Sequence, residues 1–170
     1  MRKFIYILLT IAPIIFLSCA AHSEVTNSTL AFYVVSQEKI DGGRFIDTLD
    51  IPRHGFIAAK PDLAVTNLQE VFNDKSRNIV MEPDKDGKTN WIASSDLPQY
   101  LVVKLRPDDA KQFMALTKRS VGRQLVVMLG GKTLTAWKQV ATSPEGRFEI
   151  SFQDQGDLNK TEADLKKLIR

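Results

Sequence analysis

Between residues 100 and 121 the repeat of apolar positions changes from about two to about 3.6, and the change divides a strand from a helix. "YLVVKL" (100–105) places Leu101, Val103 and Leu105 on one face. Beyond it, Ala110, Phe113, Met114, Thr117 and Val121 recur at helical spacing and form one apolar stripe. Pro107 suits a first helical position, and Asp108 and Asp109 stand where the positive end of the helix dipole favours acids. Lys118 and Arg119 fall in the last turn, and Gly122 offers the left-handed stop.

"QLVVML" (124–129) is apolar at almost every position, the pattern of a strand covered on both sides. Gly130-Gly131 suits a two-residue hairpin turn that needs positive φ. Plain alternation then puts Leu134 and Ala136 on one face of the return strand, with Thr133, Thr135 and Trp137 on the other. "SPEG" (143–146) turns into "RFEISF", whose Phe148, Ile150 and Phe152 alternate with polar residues and are expected in the core. A final helix is predicted from about Thr161, burying Leu165, Leu168 and Ile169.

The first half is less regular. "LAFYVVS" (30–36) reads as a strand. Gly42, Gly43, Pro52 and Gly55 mark a loop or hairpin, and "FIAAK" is a short strand before Pro61. Thr66 and Gln69 have the spacing of a capping box, which predicts a short helix with Leu68, Val71 and Phe72 on one side. "RNIVME" and "TNWIASS" are predicted strands joined by "PDKDGK". From residue 100 the order is strand, helix, strand, strand, strand, helix. It implies an α+β fold with a largely antiparallel sheet and helices on one face.

The first residues follow a different logic. Met1-Arg2-Lys3 is basic, "FIYILLTIAPIIFL" (4–17) is apolar, and "SCAAHSE" brings small and polar residues, the layout of a secretory signal. The apolar run falls short of the roughly 20 residues of a membrane-spanning helix. The expected organisation is a signal over 1–19, a tether over 20–29 and one domain over 30–170. "FLSC" resembles a bacterial lipobox, with Ser18 fitting and Phe16 and Leu17 departing from the usual pattern. Cys19 is then the lipidation site, and an acyl anchor holds the domain against the periplasmic side of a bacterial membrane. The competing arrangement is cleavage after Ala20 or Ala21. Cys19 is the chain's single cysteine, so an internal disulfide is excluded.

Charge adds one exclusion. The chain has 23 Lys and Arg against 20 Asp and Glu. Arg2 and Lys3 fall in the leader, which holds no acid, so 21 basic side chains face 20 acidic ones beyond it. A domain this close to neutral has no broad positive field for nucleic acid.

Candidate chemistry is sparse. The histidines are His22 in the tether and His54 in a loop, and no serine sits in a G-x-S-x-G elbow. Ser120 and Ser143 suit a helix end and a turn. Glu82, Asp84, Asp86 and Gly87 imitate the start of a calcium loop. With Gly87 in the glycine place, however, Ala93 falls where the closing glutamate belongs. No catalytic residue, metal ligand or cofactor is assigned. Trp137 is the residue of interest: on a solvated face, with Thr135 and Lys138 beside it, it is a contact for a protein partner, whereas on a covered face it is core.

With these residues laid out, the second half resembles the head subdomain of the first periplasmic domain of SecD, a subunit of the SecDF protein-export accessory. The resemblance is carried by "LVVKLRPDDAKQFMALTKRSVGRQLVVMLGGKTLTAW", "PEGRFEISF" and "LNKTEADLKKLIR". "LAFYVVS" and "KPDLAVTNLQEVF" extend it weakly toward the N-terminus. It departs where Leu129-Gly130-Gly131 replaces the family's "LDG" turn, and where Trp137 follows Thr135-Ala136 in place of a proline. The resemblance implies a non-enzymatic module that contacts exported polypeptides or the translocation machinery. The alternative is an envelope lipoprotein that binds one folded partner, as an inhibitor, immunity factor or assembly accessory.

Overall fold

The computed structural model describes residues 29–47, 55–77, 79–83, 85–93 and 97–170. Cys19, His22, His54 and Asp84, with the expected signal and tether up to residue 28, lie outside them. Among the described residues eleven strands and two α-helices follow one another: β1 (Leu30–Val34), β2 (Arg44–Ile46), β3 (Gly55–Ile57), β4 (Leu63–Val65), β5 (Leu68–Asp74), β6 (Ile79–Pro83), β7 (Thr89–Ala93), β8 (Gln99–Leu105), α1 (Pro107–Arg119), β9 (Gln124–Leu129), β10 (Lys132–Lys138), β11 (Arg147–Phe152) and α2 (Gln155–Lys166), with a short 3-10 turn at Lys75–Arg77 between β5 and β6.

The fold is α+β with a largely antiparallel arrangement, as expected: all named strands among the described residues pair antiparallel. The strands divide into a four-stranded sheet in the order β10-β9-β1-β4, a three-stranded sheet in the order β11-β8-β5, and the hairpins β2-β3 and β6-β7. β9 and β1 are inner strands, which is why they are apolar at consecutive positions.

One core is shared by both sheets and both helices. Phe32 of β1 packs against Phe113 of α1, with ring centroids 5.1 Å apart, and edge-on against Phe148 of β11 at 5.3 Å. Leu125 and Val127 of β9, Leu101, Val103 and Leu105 of β8, Leu165 of α2 and Leu168 just past its end complete it. The opposite face of the four-stranded sheet carries a second cluster of Ala31, Tyr33, Val126 and Met128, against which Ile46 and Ile57 of the β2-β3 hairpin pack.

Helix α1 matches its local signals: Pro107 opens it, and Gly122 takes a φ of 83° just beyond its end. Asp62 ties the helix end to the sheet, accepting from the Val34 amide at 2.9 Å and from Arg119 at 3.2 Å. Its buried face differs from the predicted stripe. Leu116 is buried beside Phe113 and Thr117, while Met114 and Val121 are exposed. Val121 lies past the helix end, where helical spacing no longer applies.

Three further expectations are corrected. The segment predicted as a short helix around Leu68 is strand β5, paired with β8. Its register shifts between Leu68 and Glu70, and the extra residue lets Leu68 and Val71 both face the core. A bulge thus imitates helical spacing; Phe72 is exposed. Helix α2 begins at Gln155, well before Thr161, because Asp154 caps it by accepting from the Asp157 amide at 2.9 Å. Ile169 is exposed and makes a single parallel bridge to Leu68.

Candidate functional site

Trp137 sits near the end of β10, and its environment is set by a second bulge. The β10-β9 register shifts between Thr133 and Thr135. Trp137 then stands opposite Leu125 and Thr135 opposite Val127, both residues of the shared core. Thr133 and Ala136 stand opposite Met128 and Val126 of the second cluster. The predicted alternation is corrected accordingly: Leu134 and Trp137 both pack on the shared core, and Thr133 leaves their face.

The indole is half-buried. It stacks on Phe148, with centroids 6.1 Å apart and planes 16° from parallel. Its Nε1 donates to Gln139 Oε1 at 2.7 Å. Gln139 is itself buried: its side-chain amide donates to the Ala141 carbonyl, its backbone amide donates to the Arg123 carbonyl and its own carbonyl accepts from the Gly122 amide. The ring is therefore held at both its flat face and its polar edge. Trp137 is part of the packing and also lines a surface cleft.

That cleft has a volume of about 450 Å³ and an aromatic floor of Phe113, Trp137 and Phe148. One wall is the "SPEG" turn. Leu105 N donates to the Gly146 carbonyl at 2.9 Å, and the Ser143 amide donates to Thr117 Oγ1 at 3.1 Å. The Thr117 hydroxyl in turn donates to the Met114 carbonyl at 3.0 Å. The turn is thus tied to both β8 and α1. Arg147 and Glu149, paired at 3.3 Å, provide a polar rim. Thr135 is half-buried, and Lys138 is exposed at the end of β10, opposite Gln124.

The serines weighed for chemistry have structural work. Ser120 Oγ donates to the Leu116 carbonyl at 2.7 Å, and Ser143 Oγ donates to the Arg147 carbonyl at 2.9 Å. No group of three metal-ligating side chains occurs among the described residues. The loop between β6 and β7 is a hairpin turn with Gly87 at a φ of 76°.

A second cleft, of about 550 Å³, opens between α2 and the start of β10. Its floor is Leu129, Leu134 and Leu168, and Lys132, Lys160 and Lys167 stand around Asp164. Lys167 Nζ lies 2.6 Å from Asp164 Oδ1. The hydrogen bond from Lys167, with the nearby charges of Lys167, Lys160 and Lys132, holds the Asp164 carboxyl below its ordinary value. Gln139 and this lysine cluster carry no contiguous sequence motif; turns of the chain bring their partners together.

No protein-family model matches the sequence. Among curated proteins the chain is similar to the protein translocase subunit SecD of Acidaminococcus fermentans, 39% identical over 66 residues. That stretch is 38% of this chain and 16% of that protein, so the chain corresponds to a small part of it. Two solved structures share the fold. A membrane component SecDF that enhances protein export aligns with a TM-score of 0.51 at 16% identity, over 82% of this chain and 62% of that one. SecDF in its super-membrane-facing form aligns with a TM-score of 0.52 at 17% identity, over 83% of this chain and 19% of that one. The described domain is SecD-like, and its mixed α+β architecture matches these neighbours. No described helix is long and apolar enough to cross a membrane.

Proposed function

We propose that this chain is a protein-export module on the periplasmic side of a bacterial membrane, and that it receives extended segments of exported polypeptides. The observation that carries the proposal is the aromatic-floored cleft at the end of β10. It lies beside a strand that terminates its sheet and has no strand on its outer side among the described residues. An unpaired edge offers backbone donors and acceptors to an extended chain, and the cleft offers a place for an apolar side chain. Thr135, Trp137 and Lys138 are the contacts we assign to the bound segment, with Trp137 presenting the exposed part of its ring.

Likeness to a translocase subunit supports this reading. So does likeness to a membrane component that enhances protein export. Membrane attachment is assigned to acylation of Cys19, which fits the lipobox-like "FLSC".

Photo-crosslinking in living cells tests the binding proposal. Because Trp137 is packed on the core, the probes belong at exposed Thr142 and Glu145 on the cleft rim, with a control at exposed Lys118 on α1. Many newly exported proteins trapped at the rim alone is the expected result. A single discrete product would replace the proposal with a dedicated folded partner, and an empty rim would remove the cleft from consideration. For the anchor, Cys19→Ala is expected to abolish acyl labelling and move the protein to the soluble fraction. Unchanged fractionation would overturn that assignment.

A further inference from the structure

We infer that the lysine cleft between α2 and the start of β10 binds an acidic side chain on the same extended polypeptide that the Trp137 cleft receives. The inference rests on the polypeptide-binding reading above and adds a chemical preference to it.

Three observations point to this occupant. The first is charge. Three ammonium groups face one carboxylate, which leaves an excess of two positive charges in a domain otherwise near neutrality. Lys167 is engaged by Asp164 at 2.6 Å, whereas Lys132 and Lys160 make no ion pair among the described residues. Both are exposed at the rim and free to turn toward an incoming carboxylate. A lysine is a mobile point charge, suited to a carboxylate whose position varies from one segment to the next.

The second is the floor. Leu129, Leu134 and Leu168 line a surface that a free inorganic anion would not use but the stem and neighbours of an acidic residue would cover. The third is placement. Lys132 and Leu134 begin β10, and Trp137 lies near its end, so the two clefts stand along one unpaired edge. Across the β10 bulge, Lys132 and Trp137 stand opposite Leu129 and Leu125, four residues apart on β9, or roughly 13 Å. A segment laid along β10 would therefore present its acidic residue about four positions from the apolar residue in the aromatic cleft, an even separation that keeps both side chains on one face. The edge strand is what favours a peptide over a lipid headgroup or free phosphate, since only a peptide can complete its backbone hydrogen bonds.

The test is fluorescence anisotropy with rhodamine-labelled peptides carrying an aspartate about four positions from a phenylalanine, against counterparts with asparagine in place of aspartate. The aspartate peptide is expected to bind about ten-fold more tightly at low ionic strength, with the preference fading as salt is added. Lys132→Glu combined with Lys160→Glu should abolish the preference and leave the asparagine peptide unaffected. The milder Lys160→Gln, at an exposed position, should reduce it. Equal affinity for both peptides, or a preference that survives charge reversal, would overturn the inference while leaving peptide binding intact. Displacement of the aspartate peptide by millimolar inorganic phosphate, or charge-dependent binding of phosphatidylglycerol vesicles without peptide preference, would also overturn it in favour of a simple anion or lipid site. If neither peptide binds, the polypeptide-binding reading fails first and takes this inference with it.

Discussion

Replacing Gly146 by alanine tests how firmly the wall of the aromatic cleft is seated. Gly146 has a φ of 60°, and a Cβ built there would lie 2.3 Å from the Ala110 Cβ and 2.8 Å from the Ala110 Cα. Two costs follow. Forcing an L side chain into the left-handed region costs about 1–2 kcal/mol. Pressing a methyl into a packed contact costs about 1–3 kcal/mol more, because the obstructing atoms include helix backbone. The sum is about 2–5 kcal/mol. Gly131 provides the internal control: its φ is 81°, and a Cβ there meets nothing within 4 Å. Gly131→Ala should carry the conformational cost alone, about 1–2 kcal/mol. At about 2–4 °C per kcal/mol for a domain of this size, thermal unfolding by circular dichroism resolves the two. Ala110→Gly then separates the costs at Gly146. In the wild-type background it loses about 1 kcal/mol of helix propensity. In the Gly146→Ala background it removes the nearer obstruction, so the double variant should be at least as stable as Gly146→Ala alone. If Gly146→Ala falls no further than Gly131→Ala, or if Ala110→Gly costs the same in both backgrounds, the turn is not seated against α1 as described.

Three further outcomes follow from single contacts. Thr117→Val keeps the side-chain volume but strands the Ser143 amide, and should cost about 1–3 kcal/mol in chemical denaturation. Asp154→Ala removes the cap that starts α2 and should cost about 1 kcal/mol, with the loss confined in hydrogen exchange to the first turns of that helix. The Asp109 carboxyl is held above its ordinary 3.8 chiefly by burial, then by Asp108, against the opposing pull of Arg106. A carboxyl that binds its proton more tightly when folded contributes stability that is full below 3.8 and is lost as pH rises through its folded value. Asp109→Asn should therefore gain stability relative to wild type over that rise and hold the gain to neutrality. A difference independent of pH would show that Asp109 titrates alike in both states.

What the sequence determined by itself was whatever one stretch of chain encodes through its own backbone. Pro107, the two aspartates after it and Gly122 bound α1 without help from the rest of the molecule. Gly130 and Gly131 make the β9-β10 turn because both positions need positive φ. The unbroken apolar run of β9 announced an inner strand, and the likeness to a SecD head was visible in the same residues. Three features were decided only by tertiary structure. A bulge at Leu68 gave a strand the spacing of a helix, and pairing with β8 settled the matter, since β5 gains there the hydrogen bonds a short helix would have formed internally. A second bulge near Leu134 changed which residues share the face of Trp137, a shift set by the register on β9 and invisible to alternation. Both clefts join residues distant in sequence: Phe113, Trp137 and Phe148 in one, Lys132 and Lys160 in the other. The half-burial of Trp137 depends on Phe148 beneath its ring and Gln139 at its edge, and no local pattern specifies where separate segments will meet. Periodicity records how one element faces its surroundings; only packing decides what those surroundings are.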